Sequence, residues 1–233
     1  MKILRDLRQK LETKPNALEL FRSTCFGAWL DINEVNGDPL LVHTIIGCQI
    51  PSRVERQELL YEVDNTMLCF NKHAFCLITG FLFGNEVPLP PDSPTTLIPR
   101  IFGNSCHWRE KKLSDLDKLF KDSFHNLSDE DAVRVGLILV LDLVFLGRQK
   151  DYVLQQWCLQ LVENLNAWNQ YPWGSLIWRE TFKQLQDALL KRKKMQIRHV
   201  ESIHCQGSYM PSRCVVIGCL VLFNIIFSTI CKL

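Results

Sequence analysis

The 233-residue chain lacks the short motifs that identify most enzymes. It has no glycine-rich loop of the kind that cradles phosphates, and no constellation of paired carboxylates for acid–base chemistry. Its ten cysteines include no CxxC pair, the close spacing that zinc sites typically use. Its formal net charge of +2 is too small to indicate a nucleic-acid partner by itself. These absences favour a function without catalysis.

The first residues also lack the apolar core of a secretory signal peptide. Residues 1–14 carry charge throughout and place Ile3, Leu4, Leu7 and Leu11 on one face of an amphipathic helix. Without a secretory route we expect reduced thiols, most of which pack as small apolar groups. We therefore expect an intracellular protein, located in the nucleus or cytoplasm or held at a membrane.

The longest apolar run in the polar-flanked body of the chain is SDEDAVRVGLILVLDLVFLG, residues 128–147. Ser128 is placed to cap a helix whose first turn carries three acidic residues, and Gly147 is placed to end it. Apolar residues occupy nearly every face between these two ends, which is typical of a helix in the middle of a core. The sequence thus predicts that this helix is the centre of the fold.

Most of the remaining chain shows helical periodicity, with one exception. Further helices are predicted over residues 17–21, 39–48, 73–84, 113–124, 151–171 and 172–194. The helix over 73–84 is expected to be buried and to end at Gly80. The exception is LLYEVDNTMLCFN, residues 59–71, where two apolar strands flank Asp64-Asn65, a pair that accepts positive φ. The predicted fold class is mainly α with one small β-hairpin, a multi-helix globular domain plus a hydrophobic C-terminal segment.

Two local predictions concern the residues before the central run. Residues 86–100 contain five prolines and few good core residues, which predicts a loop. Ser114 and Asp117 stand at the spacing of a capping-box variant, which would start the helix over 113–124.

The composition divides the chain into three parts. We predict one domain over residues 1–195, a linker over 196–213 and a hydrophobic tail over 214–231. The tail, CVVIGCLVLFNIIFSTIC, contains no charged residue and is long enough to cross a bilayer, which takes roughly 17–25 residues. It is interpreted either as a transmembrane tail anchor, or as a terminal core element, or as the product of a misjoined reading frame.

A basic stretch ends the predicted domain, and it is the one candidate binding site that the sequence offers. It comprises Lys191, Arg192, Lys193, Lys194 and Arg198. Such a stretch can act as a nuclear import signal or bind nucleic acid or anionic lipid. The alternative is a solvated helix end, where basic residues suit the negative end of the helix dipole.

Three groupings of cysteine and histidine could carry chemistry. They are Cys25 with His43, then Cys69, His73 and Cys76, and finally His199, His204 and Cys205. A catalytic thiol needs a nearby imidazole that lowers its pKa, but Cys25 lies in an aromatic run, where a buried thiol is inert. Zinc needs four ligands, and neither triplet includes a close pair. We therefore predict no catalytic residue, no metal site and no cofactor.

Several stretches of the chain resemble one family of plant proteins. They are FRSTCFGAWLDI (21–32), PLLVHTII (39–46), LLYEVDNTMLCFNKHAFCLITGFLFG (59–84), IFG with LSDLDKLF (101–120), VRVGLILVLDLVFLG (133–147) and LVENLNAWNQYPWGSL (161–176). Together they resemble the plant domain of unknown function that commonly precedes a ubiquitin-like, SUMO-type cysteine protease domain in transposon-derived proteins. The resemblance covers about residues 1–195, and the combination of LITG with NAWNQYPWG is specific.

This resemblance implies a fold neighbourhood and a genomic context, because nothing catalytic is attributed to the domain. His73 and the residues after Lys194 depart from the family's pattern, and no protease domain follows in these 233 residues. We expect a non-enzymatic protein-interaction or regulatory module, derived from a plant mobile element, with an unknown protein partner. The alternatives are an accessory protein tethered to a membrane by residues 214–231 and a nucleic-acid-binding protein that uses residues 191–198.

Overall fold

The computed structural model describes residues 2–32, 44–85, 95–103, 106 and 108–186, apart from the side chains of residues 52, 53 and 108. The chain forms two compact units, and each unit is built from two separate stretches. The first unit contains Met1–Glu34 and Asn85–Pro172, and the second contains Val35–Gly84 and Trp173–Leu233. The domain boundaries predicted at 195 and 213 lie outside the described residues.

The described residues are mostly helical. In chain order the helices are α1 (Lys2–Glu12), α2 (Pro15–Arg22), α3 (Lys72–Thr79), α4 (Leu97–Phe102), α5 (Leu113–Asp122), α6 (Asp129–Leu139), α7 (Gln156–Glu163), α8 (Leu165–Gln170) and α9 (173–186). The strands are β1 (Gln49–Arg53), β2 (Glu58–Val63) and β3 (Thr66–Phe70). Single 3₁₀ turns occur at Gly27–Asp31, Val54–Arg56, Trp108–Glu110 and Phe124–Asn126. A mainly helical fold with one small sheet is therefore confirmed, although the sheet has three strands where a two-stranded hairpin was predicted.

Helix α6 lies at the centre of the first unit, as the sequence predicted. It packs against α2, α5 and α7. Its cap forms as expected, because the Ser128 hydroxyl accepts a hydrogen bond from the N–H of Asp131 at 3.1 Å. Gly136 lies where an added Cβ would come within 3.0 Å of Leu7 and 3.3 Å of Phe21, so a small residue lets α1 and α2 approach α6 closely.

The α-helix changes its winding after Leu139, which the sequence did not predict. Residues Val140–Phe145 form a π-helical segment, called the π segment below. Its last turn closes with the N–H of Leu146 donating to the C=O of Leu141 at 2.9 Å. Gly147 then takes a φ of +60° and ends the helix where it was predicted to end.

Aromatic rings fill the space beside the π segment in the first unit. Phe145 makes edge-to-face contacts with Phe26 and Trp29, each with ring centroids 4.8 Å apart. Phe26 also contacts Trp168 of α8 in the same way at 5.6 Å. The turn that carries Phe26 and Trp29 needs Gly27, because a Cβ there would lie 2.2 Å from the carbonyl oxygen of Arg22.

Helix α5 begins at Leu113, but the predicted cap is wrong. The N–H of Lys112 donates to the Asp115 carboxylate at 2.8 Å, so the reach-back contact of the capping box comes from Asp115. Ser114 and Asp117 therefore lie inside the helix, two residues beyond their predicted places. Asp117 accepts hydrogen bonds from two lysine ammonium groups instead, as described below.

The second unit contains the three-stranded antiparallel sheet, in the order β1-β2-β3. The predicted hairpin is confirmed, with Leu59 paired to Phe70 at its open end. Its turn residues Asp64 and Asn65 have φ values of 48° and 61°, which suits a tight two-residue connection.

Strand β1 follows a predicted helix and was not itself predicted. Residues 44–47 are helical, as predicted for 39–48, and residues 39–43 lie outside the described part of the chain. The chain then turns at Cys48 into β1, which pairs with β2 through a bulge between Ile50 and Arg53. A strand of five residues that contains Pro51 carries almost no periodic signal, which explains why the sequence did not predict it.

Helix α3 is shorter and more exposed than the sequence predicted. Asn71 caps it by accepting the N–H groups of His73 and Ala74, and Gly80 ends it at a φ of +68°. Only Phe75 is buried among the residues of α3, all of which are described. The expectation of a buried helix is thus wrong for most of its residues, while its predicted end at Gly80 is confirmed.

Candidate functional site

The second unit exposes two leucines at the end of α3. Leu77 lies in the last turn of α3 with 87% of its surface exposed, and Leu82 follows two residues after Gly80 with 56% exposed. We call this pair the exposed leucines. Phe75 points the other way because residues two positions apart lie on nearly opposite sides of a helix. The aromatic residue is buried, and Leu77 therefore faces solvent.

The backbone that carries Leu82 is held firmly within the second unit. The N–H of Gly174, at the start of α9, donates to the C=O of Leu82 at 2.8 Å. The Ser175 hydroxyl donates to the C=O of Gly84 at 2.8 Å and accepts its N–H at 3.0 Å. A Cβ at position 174 would come within 2.7 Å of the Leu82 carbonyl oxygen, so only glycine allows this approach. The leucine is thus presented on a fixed segment.

Aromatic rings fill the interior of the second unit, which explains why Leu77 and Leu82 are exposed to solvent. Phe75 contacts Trp178 of α9 at 5.5 Å and Phe83 at 6.2 Å between centroids. Trp178 also contacts Phe70 of β3 at 5.1 Å. The aromatic side chains occupy the interior of the second unit, and α3 turns its remaining apolar face to solvent.

Among the described residues of the first unit, three clusters of charged groups involve a buried or partly buried carboxylate, and the largest joins α4, α6 and α7. Arg100 donates to Asp131 at 2.8 Å and to Glu163 at 2.9 Å, and Arg134 donates to Asp131 at 2.9 Å. Burial opposes the ionisation of Asp131, but the hydrogen bonds from Arg100 and then Arg134 outweigh it and hold the pKa of Asp131 below its usual value. The two arginines and two carboxylates balance one another in charge.

Glu163 also anchors α4, a helix in a stretch that the prolines of 86–100 had predicted to be a loop. Its Oε1 accepts the N–H groups of Thr96 and Leu97 at 2.9 and 2.6 Å. The start of α4 is therefore capped by a side chain more than sixty residues away in sequence. No local signal in the sequence could have predicted this cap.

The second cluster surrounds Asp117 of α5. Its Oδ2 accepts the ammonium groups of Lys121 at 2.7 Å and Lys150 at 2.5 Å. Burial would raise the pKa of Asp117, but the two lysines outweigh it and lower that pKa. This arrangement fixes the segment around Lys150 on α5.

The third cluster lies at the π segment. Asp142 is buried, and its Oδ1 lies 3.3 Å from Nε of Arg148, which stacks on the ring of Tyr152 at 3.9 Å. Burial raises the pKa of Asp142 to about 7, with Arg148 opposing the rise. Burial, and then the neighbouring Asp142, also raises the pKa of Cys158 well above its ordinary value. That thiol is therefore inert as a nucleophile at neutral pH.

The cysteine and histidine groupings from the sequence show no shared site in the described residues. The backbone N–H of Cys25 donates to Asn169 at 2.9 Å, and its proposed partner His43 lies outside the described residues. Cys69 and His73 are exposed, and the thiol of Cys76 contacts the C=O of Phe81 at 3.6 Å. Across the described part of the chain, no three His, Cys, Asp or Glu residues come together in a way that could hold a metal ion.

The remaining predicted sites fall beyond residue 186. The basic stretch Lys191, Arg192, Lys193, Lys194 and Arg198, the triplet with His199 and the tail over 214–231 all lie outside the described residues. Among the helices that are described, none is both long enough and apolar enough to cross a membrane. The basic stretch and the tail anchor therefore stay predictions.

Comparison with known families gives one match. A family model described as a domain of unknown function, DUF1985, matches residues 52–184, which is more than half of the chain. The match runs from β1 into α9 and includes the exposed leucines and all three charged clusters. Neither a curated protein nor a solved structure matches the chain.

Proposed function

The chain belongs to the DUF1985 family, and from that premise we propose that it is a non-enzymatic protein-interaction module whose contact surface includes the exposed leucines. The exposure of Leu77 carries this proposal. A leucine with 87% of its surface in water, on a helix with a buried aromatic face, gains nothing for the fold from being apolar. Exposed apolar side chains on ordered segments are typical of protein contact sites.

The energetics favour a contact centred on this pair. Burying a leucine side chain contributes about 1.5–3 kcal/mol, so Leu77 and Leu82 together could supply a small hot spot. The hydrogen bonds from Gly174 and Ser175 already fix the backbone beside Leu82. Little backbone entropy would then be lost when a partner binds.

We further propose that the module derives from a plant mobile element and acts beside a SUMO-type cysteine protease. The support is the resemblance stated above, which includes LITG over residues 77–80. Leu77 is the first residue of that motif, and its apolar side chain is exposed. This apolar side chain is thus available to a partner, as a regulatory or adaptor module requires.

Site-specific photo-crosslinking tests this function. A photoreactive amino acid at position 77 of the full chain, expressed in plant cells, should give one discrete crosslinked partner, while the same probe at the exposed Lys118 of α5 should not give that adduct. The purified partner should bind the Leu77→Asp variant at least about tenfold more weakly than wild type, since a leucine in a hot spot contributes about 1.4 kcal/mol or more.

Two matched variants separate a contact from a folding effect. Leu77→Met should keep the affinity because it keeps the apolar surface, and Lys118→Asp should keep it because Lys118 is not part of the proposed contact surface. Because Leu77 is exposed, Leu77→Asp should melt within a few degrees of wild type. Equal partner affinity for wild type and Leu77→Asp would rule out the exposed leucines as the binding site.

A further inference from the structure

Asp142 holds Arg148 at two points. The C=O of Asp142 accepts the backbone N–H of Arg148 at 2.7 Å, and its carboxylate lies 3.3 Å from Nε of the same arginine. Gly147, at a φ of +60°, allows the chain to turn back in this way. A π-helical turn places the aspartate inward, and such turns are frequent at functional sites.

The surroundings of Asp142 offer its carboxyl group little besides Arg148. Helix α1, which packs on the π segment, buries only leucines, namely Leu4, Leu7 and Leu11. In the turn Gly27–Asp31, the ring of Trp29 contacts Phe145 of the π segment. The acidic residue of this turn, Asp31, pairs with Arg22 at 2.8 Å.

The neighbouring helices α7 and α6 add one thiol and two charged side chains that already pair with each other. Helix α7 contributes Cys158, which stays protonated because burial raises its pKa. On α6, Asp131 and Arg134 pair with each other at 2.9 Å. Within the described residues, Arg148 is therefore the charged group that acts on the Asp142 carboxyl.

Arg148 begins a segment that is fastened to the start of α5. The C=O groups of Lys150 and Tyr152 accept the N–H groups of Ser114 and Leu113 at 2.7 and 2.9 Å. Two residues further on, the N–H of Leu154 donates to the C=O of Lys111 at 3.0 Å. The Arg148 guanidinium stacks on Tyr152 in the middle of this segment. A change in its position would therefore affect how residues 148–154 are held.

We propose that Asp142 and Arg148 form a proton-operated latch, which holds residues 148–154 on the start of α5 when Asp142 is ionised and loosens them when Asp142 is protonated. The ionised carboxylate attracts the guanidinium as an ion pair, with Nε of Arg148 3.3 Å from its Oδ1. When a proton from solvent binds to the carboxylate, the guanidinium keeps only the face of Tyr152 and water. Because the pKa of Asp142 is about 7, the latch operates near neutral pH.

The latch and the stability of the whole unit respond to pH in opposite directions. The folded state binds the Asp142 proton more tightly than the unfolded state, so the free energy of unfolding falls as pH rises toward 7. Over the same range the ionised carboxylate binds Arg148 and protects residues 148–154. If residues 148–154 loosened only because the whole unit lost stability, their protection would fall as pH rises toward 7. The two explanations can therefore be told apart.

Hydrogen exchange of the full chain between pH 5.5 and 8.5, corrected for intrinsic exchange rates, measures the latch. Protection of the Leu113, Ser114 and Leu154 amides, which donate the hydrogen bonds between the segment and α5, should rise about fivefold with a midpoint near pH 7 as the ion pair forms. Asp142→Asn should remove this pH dependence and keep the low protection. The exposed Asp151→Asn, in the same segment, should keep both the rise and its midpoint.

Titration of the Asp142 carboxyl carbon by NMR adds a readout that does not depend on exchange. Its midpoint should lie within about one unit of 7 in wild type, and Arg148→Gln should move it higher because the opposing cation is removed. A midpoint near 4 would overturn the proposal. So would a pH-dependent protection of the Leu113, Ser114 and Leu154 amides that survives in Asp142→Asn or in Arg148→Gln.

Discussion

The two halves of the central helix each bury one aspartate, yet they shift its pKa in opposite directions. Asp131, in the first turn of α6, accepts hydrogen bonds from Arg100 and Arg134, and its pKa lies below the usual value. Asp142, in the π segment eleven residues later, faces Arg148 at 3.3 Å, and its pKa rises to about 7. The same residue type on one continuous helix is thus kept ionised at one end and poised to titrate at the other.

Both side chains are shielded from solvent, but Asp142 lies deeper in the unit, and burial is the main cause of its raised pKa. Two further factors add to the difference. Asp131 has two guanidinium partners within 3 Å and lies in the first helical turn, where unpaired N–H groups favour negative charge. Asp142 has one partner at a longer distance and lies toward the helix C-terminus, where the dipole disfavours a carboxylate. The depth of burial, the number of partners and the position along the helix therefore together set the charge state.

The largest effect should come from adding a second carboxylate beside Asp142. Leu141 is fully buried in the π segment, and Leu141→Asp would place there a charge without a partner. We expect the free energy of unfolding in urea to fall by about 4 kcal/mol or more, enough to unfold most of the protein. Leu143→Asp, at a half-buried position, should cost clearly less. Normal melting of the Leu141→Asp variant would show that the π segment is not part of the core.

The next largest effect is the change in the free energy of unfolding with pH that Asp142 causes. Since the folded pKa of Asp142 is raised above that of the unfolded chain, ionising it costs stability as pH rises toward 7. Between pH 5 and 8 the wild type should lose about 2–3 kcal/mol relative to Asp142→Asn, measured by urea denaturation at each pH. The carboxyls with lowered pKa, Asp117, Asp131 and Glu163, act below this window. Parallel pH profiles for wild type and Asp142→Asn would contradict the comparison.

Asp131 should make the free energy of unfolding change with pH in the opposite direction. Because its folded pKa is lowered, the stability it contributes is present above about pH 4, the unfolded value, and is lost as pH falls through the folded pKa. Asp131→Asn should therefore cost about 2 kcal/mol at pH 7, less than a fully buried pair because Arg100 is partly exposed. Glu130→Gln, which removes only the exposed partner of Arg134, should cost less than about 0.5 kcal/mol. Equal costs for the two variants would contradict this account.

Features that depend on neighbouring residues in the sequence could be predicted, and several were. Ser128 caps α6, Gly80 and Gly147 end their helices, and Asp64-Asn65 form the hairpin turn because each needs only a local backbone conformation. The apolar run over 128–147 indicated a buried helix because apolar residues on every face leave no side for water.

Features that depend on distant contacts could not be predicted. The π segment has no local signature, and the cap of α4 is supplied by Glu163 from another helix. The exposure of Leu77 was also missed, because a short apolar helix does not reveal which of its faces another element covers. Asp142 is a charged residue inside an apolar run, but the sequence did not indicate its partner, because Arg148 lies beyond the helix end.

The smallest expected effect separates the two halves of the central helix most cleanly. Ser128→Ala removes the hydroxyl that accepts the N–H of Asp131, and should cost about 1 kcal/mol in the free energy of unfolding. Ser123→Ala is the matched control, because the Ser123 side chain precedes a 3₁₀ turn without capping it. Since the cap acts within the first turn, the titration midpoint of Asp142 should stay unchanged in Ser128→Ala. A shifted midpoint would mean that the α and π halves are coupled through the helix, and that position alone does not set the charge of each aspartate.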